Sequence, residues 1–446
     1  MFATKNINSC YNYDGVSSMI KKYKNLFIFI IFYIIVFTIM FFSKIDSDLI
    51  WNFGYSYNTA KGLMMYKDFN MIISPLYPVI TGLFMKLVGN NMISFYLINA
   101  FYTTFVAFLT YKLNPKSWFI TLPLILLSCL ANYNTFCIIF CLLLIYLEHK
   151  KANDYYIGII LGLAFLTKIN LGILLCIPTL YYFKDFKKIF KRIIGFIIPN
   201  IIVILFFIIC NNLYNYIDYV FLGILDFAGN NLKLSLFAIV IPFVLIFLVI
   251  LLFKEKNISY LYAITFLGLV YPVMNELHVM IAVVPGIVLI LKKYSLYLER
   301  FAFIGLIFLI VPLIGLFLNN RNYEFSYDNN IFKHRYIQNE YIKNANDLKR
   351  HFNNDFSNVC LMTYDNYIYK FLLNLKINKY DVLLYGNMGY NGTEKLIKYL
   401  ESLKKETYFV FESTITGAQY NLEGLKYVQK NYELKALVGN FYIYQK

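Results

Sequence analysis

Apolar runs close to the roughly 20 residues that cross a bilayer as a helix recur through positions 1–318, and nothing else in the chain limits its fold as strongly. With 59% hydrophobic and 15% charged residues, the 446-residue chain has too little polar surface to wrap one water-soluble core. The reading is a polytopic α-helical membrane protein. No small-x-small cleavage pattern follows the first run, at 25–43, so it is expected to stay as an anchor.

Further spans are expected at 92–111, 117–130 and 133–147, then as a pair meeting at 167–170, and at 193–210. Others end near Lys254, Tyr271, Lys292 and Leu318, making about eleven in all. With the amino terminus inside, the inner connectors hold about 17 Lys or Arg and the outer ones about 6, and the opposite orientation inverts that ratio. The expected topology therefore has a cytoplasmic amino terminus and an extracytoplasmic tail. It also accounts for the net charge of +16 as a topology signal rather than a nucleic-acid surface. The seven cysteines lie mostly inside apolar runs, without the spacing of a metal site or a disulfide framework.

The chain changes character at 319. The segment 1–318 reads as the transmembrane domain, with a first outer connector at 44–91 carrying juxtamembrane helices, one of them opening at Ser74-Pro75. The segment 319–446 reads as a small α/β domain. Strands are expected at 359–362, 381–384, 408–411 and 441–444, and helices at 366–375, 394–403 and 422–431. The glycine-rich run Gly386–Gly392 lacks phosphate-loop spacing and reads as a tight turn.

The topology puts Asp46, Asp48, Asp68, Asp218, Asp226, Glu276, Lys168 and His278 at span ends on one face. Ionisable groups gathered there from separate spans are what a site between helices requires. Simpler roles compete with that one. Lys168 suits snorkelling, Asp48 suits capping a helix from Leu49, and Asp68 suits a turn before Pro75. Trp51, Tyr55, Tyr57 and Tyr66 suit either sugar stacking or an interfacial belt. Asp46-Ser47-Asp48 is also a minimal Asp-x-Asp pair, able in principle to hold magnesium or manganese, although no cofactor is required.

In order, Asp46-Ser47-Asp48, Gly62–Phe69, Ser74–Pro78, Gly162–Lys168 and Tyr271–His278 with Pro285 beyond resemble the GT-C class of membrane glycosyltransferases. The nearest likeness is to relatives of the protein mannosyltransferases and aminoarabinose transferases, over roughly the first two-thirds of the chain. The resemblance implies a GT-C-like arrangement of the spans. It also implies transfer of a sugar from a polyprenyl-phosphate carrier to a hydroxyl of a glycan, lipid or protein on the outer face, usually with inversion. Members carry an acidic base in the first outer connector, often as Asp-Glu, where this chain has Asp46 and Asp48 split by a serine. Asp46, nearest the span, is the expected base. Lys168 is expected to steady the leaving phosphate and His278 to assist as donor or imidazolium, with Asp68, Tyr271 and Glu276 binding substrate. A single inverting displacement needs one base, and a phosphate leaves unprotonated but gains charge, so a fixed cation beside it lowers the barrier. The rival readings are an envelope polysaccharide polymerase or ligase, and a lipid-linked glycan transporter or flippase. The late outer connectors are short for the former, and no internal repeat supports the latter.

Overall fold

The computed structural model describes residues 13–129, 131–230, 233–298, 323–326, 329, 331–333, 335–413 and 420–446. In chain order the helices of the first part are α1 (Tyr13–Phe42), α2 (Ser47–Ala60), α3 (Leu76–Val88), α4 (Met92–Leu113), α5 (Leu122–Ser128), α6 (Asn134–His149), α7 (Asp154–Phe165), α8 (Ile169–Cys176) and α9 (Phe186–Ile209). They continue with α10 (Leu213–Ile217), α11 (Gly223–Asn230), α12 (Val240–Glu255), α13 (Ile258–Leu267) and α14 (Glu276–Leu298). Among the described residues, five helical segments are long and apolar enough to cross a membrane: Asn25–Phe42, Met92–Leu113, Phe186–Ile209, Leu236–Glu255 and Glu276–Tyr294. The other expected spans within the described residues form shorter apolar helices: Trp118–Ser128, Asn134–His149, Asp154–Phe165, Ile169–Tyr182 and Ile258–Val270. The last expected span lies outside the described residues.

Ser74 does not cap the helix that follows it. Pro75 takes the N-cap position of α3 with no side-chain hydrogen bond, and the free Leu76 N–H donates to the Leu166 carbonyl at 3.0 Å. A tertiary acceptor thus does what a capping side chain does elsewhere.

The most intimate helix pair is α7 with α9. Gly158 and Gly162, four apart on one face of α7, meet the α9 backbone so closely that a Cβ at Gly158 would lie 2.2 Å from the Arg192 carbonyl oxygen. A Cβ at Gly195 would lie 2.3 Å from the Tyr155 carbonyl oxygen. Small residues at this spacing let backbones touch, which is how helices gain packing in lipid. The same pair is pinned at one end by Arg192, which reaches Glu148 at 2.7 Å and Asp154 at 2.8 Å while only 3% exposed. Tyr262 and Tyr182 donate to the same Glu148, at 3.1 and 3.2 Å.

Two-residue strands β1 (Lys233–Leu234) and β2 (Val273–Met274) pair in parallel, tying the 211–235 connector to the start of α14. The tail opens with an antiparallel hairpin, β3 (Tyr323–Ser326) and β4 (Arg335–Gln338). It then forms a sheet of order β5-β6-β8-β7, from β5 (Val359–Leu361), β6 (Tyr408–Glu412), β7 (Glu433–Val438) and β8 (Phe441–Gln445). The first pair is parallel and the other two are antiparallel. Helices Asn339–His351, Asn366–Leu372, Gly392–Ser402 and Leu422–Asn431 accompany it. Three of the four expected strands form.

The fourth, at 381–384, does not, because its backbone is engaged elsewhere. The N–H groups of Asp381 and Val382 both donate to Asn70 Oδ1 at 3.1 Å, and the Val382 carbonyl accepts from Asn70 Nδ2 at 2.6 Å. One asparagine of the first connector therefore occupies the edge that a neighbouring strand would need.

That contact is one of many. Asn58 donates to Tyr367 Oη, Asn387 accepts from Ile72 N–H and donates to Tyr55 Oη, and Gln338 donates to the Ile45 carbonyl. Phe332, Ile337, Tyr367, Ile368, Phe371, Val382 and Leu384 belong to the same apolar cluster as the helices of the first part. The glycine-rich turn also docks. Gly386 and Gly389 both have positive φ, and a Cβ at Gly389 would lie 2.3 Å from the Asp218 carboxylate. Asp218 then accepts from Tyr390 N–H at 3.2 Å and pairs with Lys395 at 2.5 Å. The tail thus lies against the connectors at 44–91 and 211–235.

Candidate functional site

Four residues on three separate chain segments are linked electrostatically: Asp46 and Lys168 act on Asp48, and Lys168 acts on His278. Asp46 is the N-cap of α2, its extended backbone turning the chain out of α1 while Oδ1 accepts from Leu49 N–H at 2.8 Å. The cap is therefore Asp46, and among the described residues no hydrogen bond engages the Asp48 carboxylate in the first turn. The helix start that was expected at Leu49 falls two residues earlier, at Ser47.

Asp48 is partly buried, and its carboxyl is pushed up to about 6, first by burial and then by the charge of Asp46, with Lys168 pulling the other way. Asp46 is raised as well, by burial first, while the Leu49 N–H and Lys44 oppose the rise.

Lys168 stands between α7 and α8 with extended backbone, φ −158°. Its ammonium lies over the Tyr133 ring, 5.4 Å from the centroid. Tyr133 is held in turn by α2, because its N–H donates to Asn52 Oδ1 at 3.4 Å while Asn52 Nδ2 donates to the Asp48 carbonyl. The charge of Lys168 acts on Asp48 on one side and on His278 on the other.

His278 lies in the first turn of α14. Asn275 Oδ1 accepts from the His278 backbone N–H at 2.9 Å and contacts the ring Nδ1 at 2.7 Å. An oxygen that already accepts from the backbone can only accept from the ring, so Nδ1 carries a hydrogen and Nε2 is the nitrogen left unengaged by Asn275. With Nδ1 so engaged, Nε2 is the ring nitrogen left for another partner, as the donor or imidazolium role expected from the sequence also requires.

The remaining sequence candidates are placed otherwise. Asp68 is exposed and closes its own turn, accepting from Met64 N–H at 2.7 Å. Glu276 is exposed and accepts from Ser235 Oγ at 2.6 Å, which fastens the 211–235 connector. Tyr271 is 54% exposed and precedes a cis proline. No contact among the described residues joins these three to Asp48 or Lys168.

The tail adds groups that no sequence pattern marked. Tyr364 packs edge-on against Trp51, centroids 5.4 Å apart, next to the start of α2. Asp365 bears electrostatically on Asp46, and its Oδ2 accepts from Tyr341 Oη at 2.6 Å. Asp365 Oδ1 is buried and without a hydrogen-bond partner among the described residues, as is Trp51 Nε1. Glu412 accepts from Tyr364 N–H at 3.1 Å and is raised to about 7 by burial, with Asp365 and Glu340 adding to the rise. Asp365 follows a strand and a turn, like many structural acids, so only its position in space distinguishes it.

A cavity of about 40 Å³ opens beside Asp46, lined by Met40, Ser43, Lys44, Leu49, Ala131 and Asn132. It holds a water or two, not a sugar. Among the described residues no three His, Cys, Asp or Glu side chains converge as a metal ion would need. Asp46 already spends one oxygen on its cap, and the fixed positive charge beside Asp48 is Lys168. Together these groups set a carboxylate with raised basicity within electrostatic reach of a lysine, and an imidazole within reach of that same lysine. Groups of these kinds can take a proton and stabilise a developing anion. No family model matches the chain, and no curated protein sequence matches it significantly.

Proposed function

We propose that this protein is a membrane glycosyltransferase that passes a sugar from a polyprenyl-phosphate carrier to an acceptor hydroxyl on the outer face, with inversion. In this reading the chain has about eleven spans in a GT-C-like arrangement, with the tail extracytoplasmic and packed over the first connector. The observation that carries it is the setting of Lys168, whose charge acts on both Asp48 and His278 although the three residues lie far apart in sequence.

Asp48, rather than Asp46, is the base in this reading. Asp46 is committed to the helix cap, whereas the Asp48 carboxylate has no hydrogen bond among the described residues and is raised to about 6, close to what a base working near neutrality needs. The acceptor oxygen attacks the anomeric carbon and its proton passes to Asp48. The bond from that carbon to the phosphate oxygen breaks, and the electron pair leaves on the phosphate. Lys168 steadies the charge gained there, and His278 Nε2 accepts a hydrogen bond from a sugar hydroxyl. Because the present cavity is water-sized, substrate entry requires displacement of a bordering segment. The Ser43–Lys44 turn and the loop at Ala131–Asn132 are the segments at its edge.

The test is reconstitution in liposomes with polyprenyl-phosphate sugars. Asp48→Asn should abolish transfer. Asp46→Asn should retain most of it, because asparagine caps a helix about as well as aspartate. Full transfer by Asp48→Asn would overturn the assignment.

A further inference from the structure

A second cleft lies far from Asp48. Helix α6 starts beside Tyr133 and runs 16 residues to His149, and fourteen residues of α14 separate His278 from Lys292. At 1.5 Å per residue, both helices carry the chain about 20 Å away from the candidate site, to its opposite end. There His149 and Lys292 border a cleft of about 230 Å³ with Glu255, Lys293, Asn257, Ser259 and Tyr260, over an apolar floor of Leu113, Ile145 and Leu289.

Its charges are not balanced. Glu255 is engaged by Lys293 at 2.6 Å and by Tyr260 Oη at 2.6 Å. That leaves Lys292 with no ion pair or hydrogen bond among the described residues, and the charge felt most by His149 is that same lysine. Ser259 is 4% exposed and lines the cleft, where its hydroxyl makes no hydrogen bond to the described residues. It sits in the first turn of α13, where the N-cap Asn257 has already taken the Ser259 N–H. An exposed ammonium that feels Glu255 but has no ion pair among the described residues, a hydroxyl opening into the cleft and the positive end of a ten-residue helix thus meet above an apolar floor.

We infer that this cleft binds a phosphate oxyanion, held by Lys292 and the Ser259 hydroxyl, with the apolar floor taking whatever chain the phosphate carries. The ligand is a lipid phosphate headgroup or free phosphate. The site does not depend on the glycosyltransferase reading, since none of its residues belongs to the Asp48 constellation.

The experiment uses the full chain in nanodiscs. Thermal unfolding is followed in digalactosyldiacylglycerol, whose headgroup carries no phosphate, in the same lipid doped with phosphatidylglycerol, and in the same lipid with added inorganic phosphate. Phosphatidylglycerol or phosphate should raise the midpoint in a saturable way. Lys292→Gln and Ser259→Ala should each weaken that response, the lysine change by about tenfold or more in apparent affinity. Lys187→Ala, an exposed lysine on the same end but outside the cleft, should leave it intact. A response to phosphatidylglycerol alone identifies a lipid headgroup, and a response to phosphate alone identifies a soluble ligand. Absence of both, or equal loss with Lys187→Ala and Lys292→Gln, overturns the proposal in favour of diffuse surface charge.

Discussion

Removing the Lys168 ammonium is the perturbation that most directly probes the reasoning about Asp48. Burial and Asp46 push the Asp48 carboxyl up to about 6 while Lys168 holds it down. An opposite charge at close range typically lowers a carboxyl by about one to three pH units, so Lys168→Met should lift Asp48 by about one or more. Asp46→Asn removes a like charge and should lower it. Tyr55, Tyr133 and Tyr364 also feel the Asp48 charge but stay neutral in this range. The assay is infrared titration of the protonated-carboxyl band, assigned by its loss in Asp48→Asn, so the measurement does not require turnover. In parallel, the acid limb of kcat/KM in the transfer assay should fall about tenfold per pH unit below the same midpoint. The stability sign is opposite to that of an ion-paired aspartate. A carboxyl raised in the folded state stabilises most below its ordinary value, and that contribution is lost as pH rises through about 6. Asp48→Asn should therefore not destabilise the fold at neutral pH, which separates a catalytic loss from a folding loss. An Asp48 midpoint that does not move in Lys168→Met would refute the electrostatic coupling on which the site is built.

Three further expectations concern the scaffold and the tail. Arg192→Ala leaves Glu148 and Asp154 buried without their cation and should cost about 3–5 kcal/mol, read as a lowered thermal midpoint in detergent. Asn70→Ala strands the N–H groups of Asp381 and Val382 and should cost about 2 kcal/mol or more, seen as faster hydrogen exchange at 381–384 and easier proteolysis of the tail. Asp365→Asn removes a negative charge that acts on Asp46, and it should change KM for the donor or acceptor while leaving stability within about 1 kcal/mol of wild type. Unchanged kinetics there would confine Asp365 to holding Tyr341.

The sequence marked Asp46, Asp48, Lys168 and His278 as candidates because polar groups at the ends of apolar runs stand out from their surroundings. It placed Leu422–Asn431 to the residue because an apolar stripe at helical spacing carries its own signal. Strand 381–384 failed for the converse reason. Its residue types are those of a strand, but its hydrogen bonds are taken by Asn70, more than three hundred positions earlier. Capping shows the same division: Asn257 and Asn421 cap their own helices, whereas α3 borrows the carbonyl of Leu166.

By itself, the sequence determined that the first part of the chain is built of apolar helices and the tail of alternating strands and helices, because hydrophobic period and length are local properties. Tertiary structure alone decided which aspartate caps and which does not, since that depends on where one turn of α2 begins. It also decided that the tail packs on the connectors and brings Tyr364 and Asp365 to the start of α2. Their roles come from desolvation and from charges on other segments, and those act through space and leave no trace in residue order.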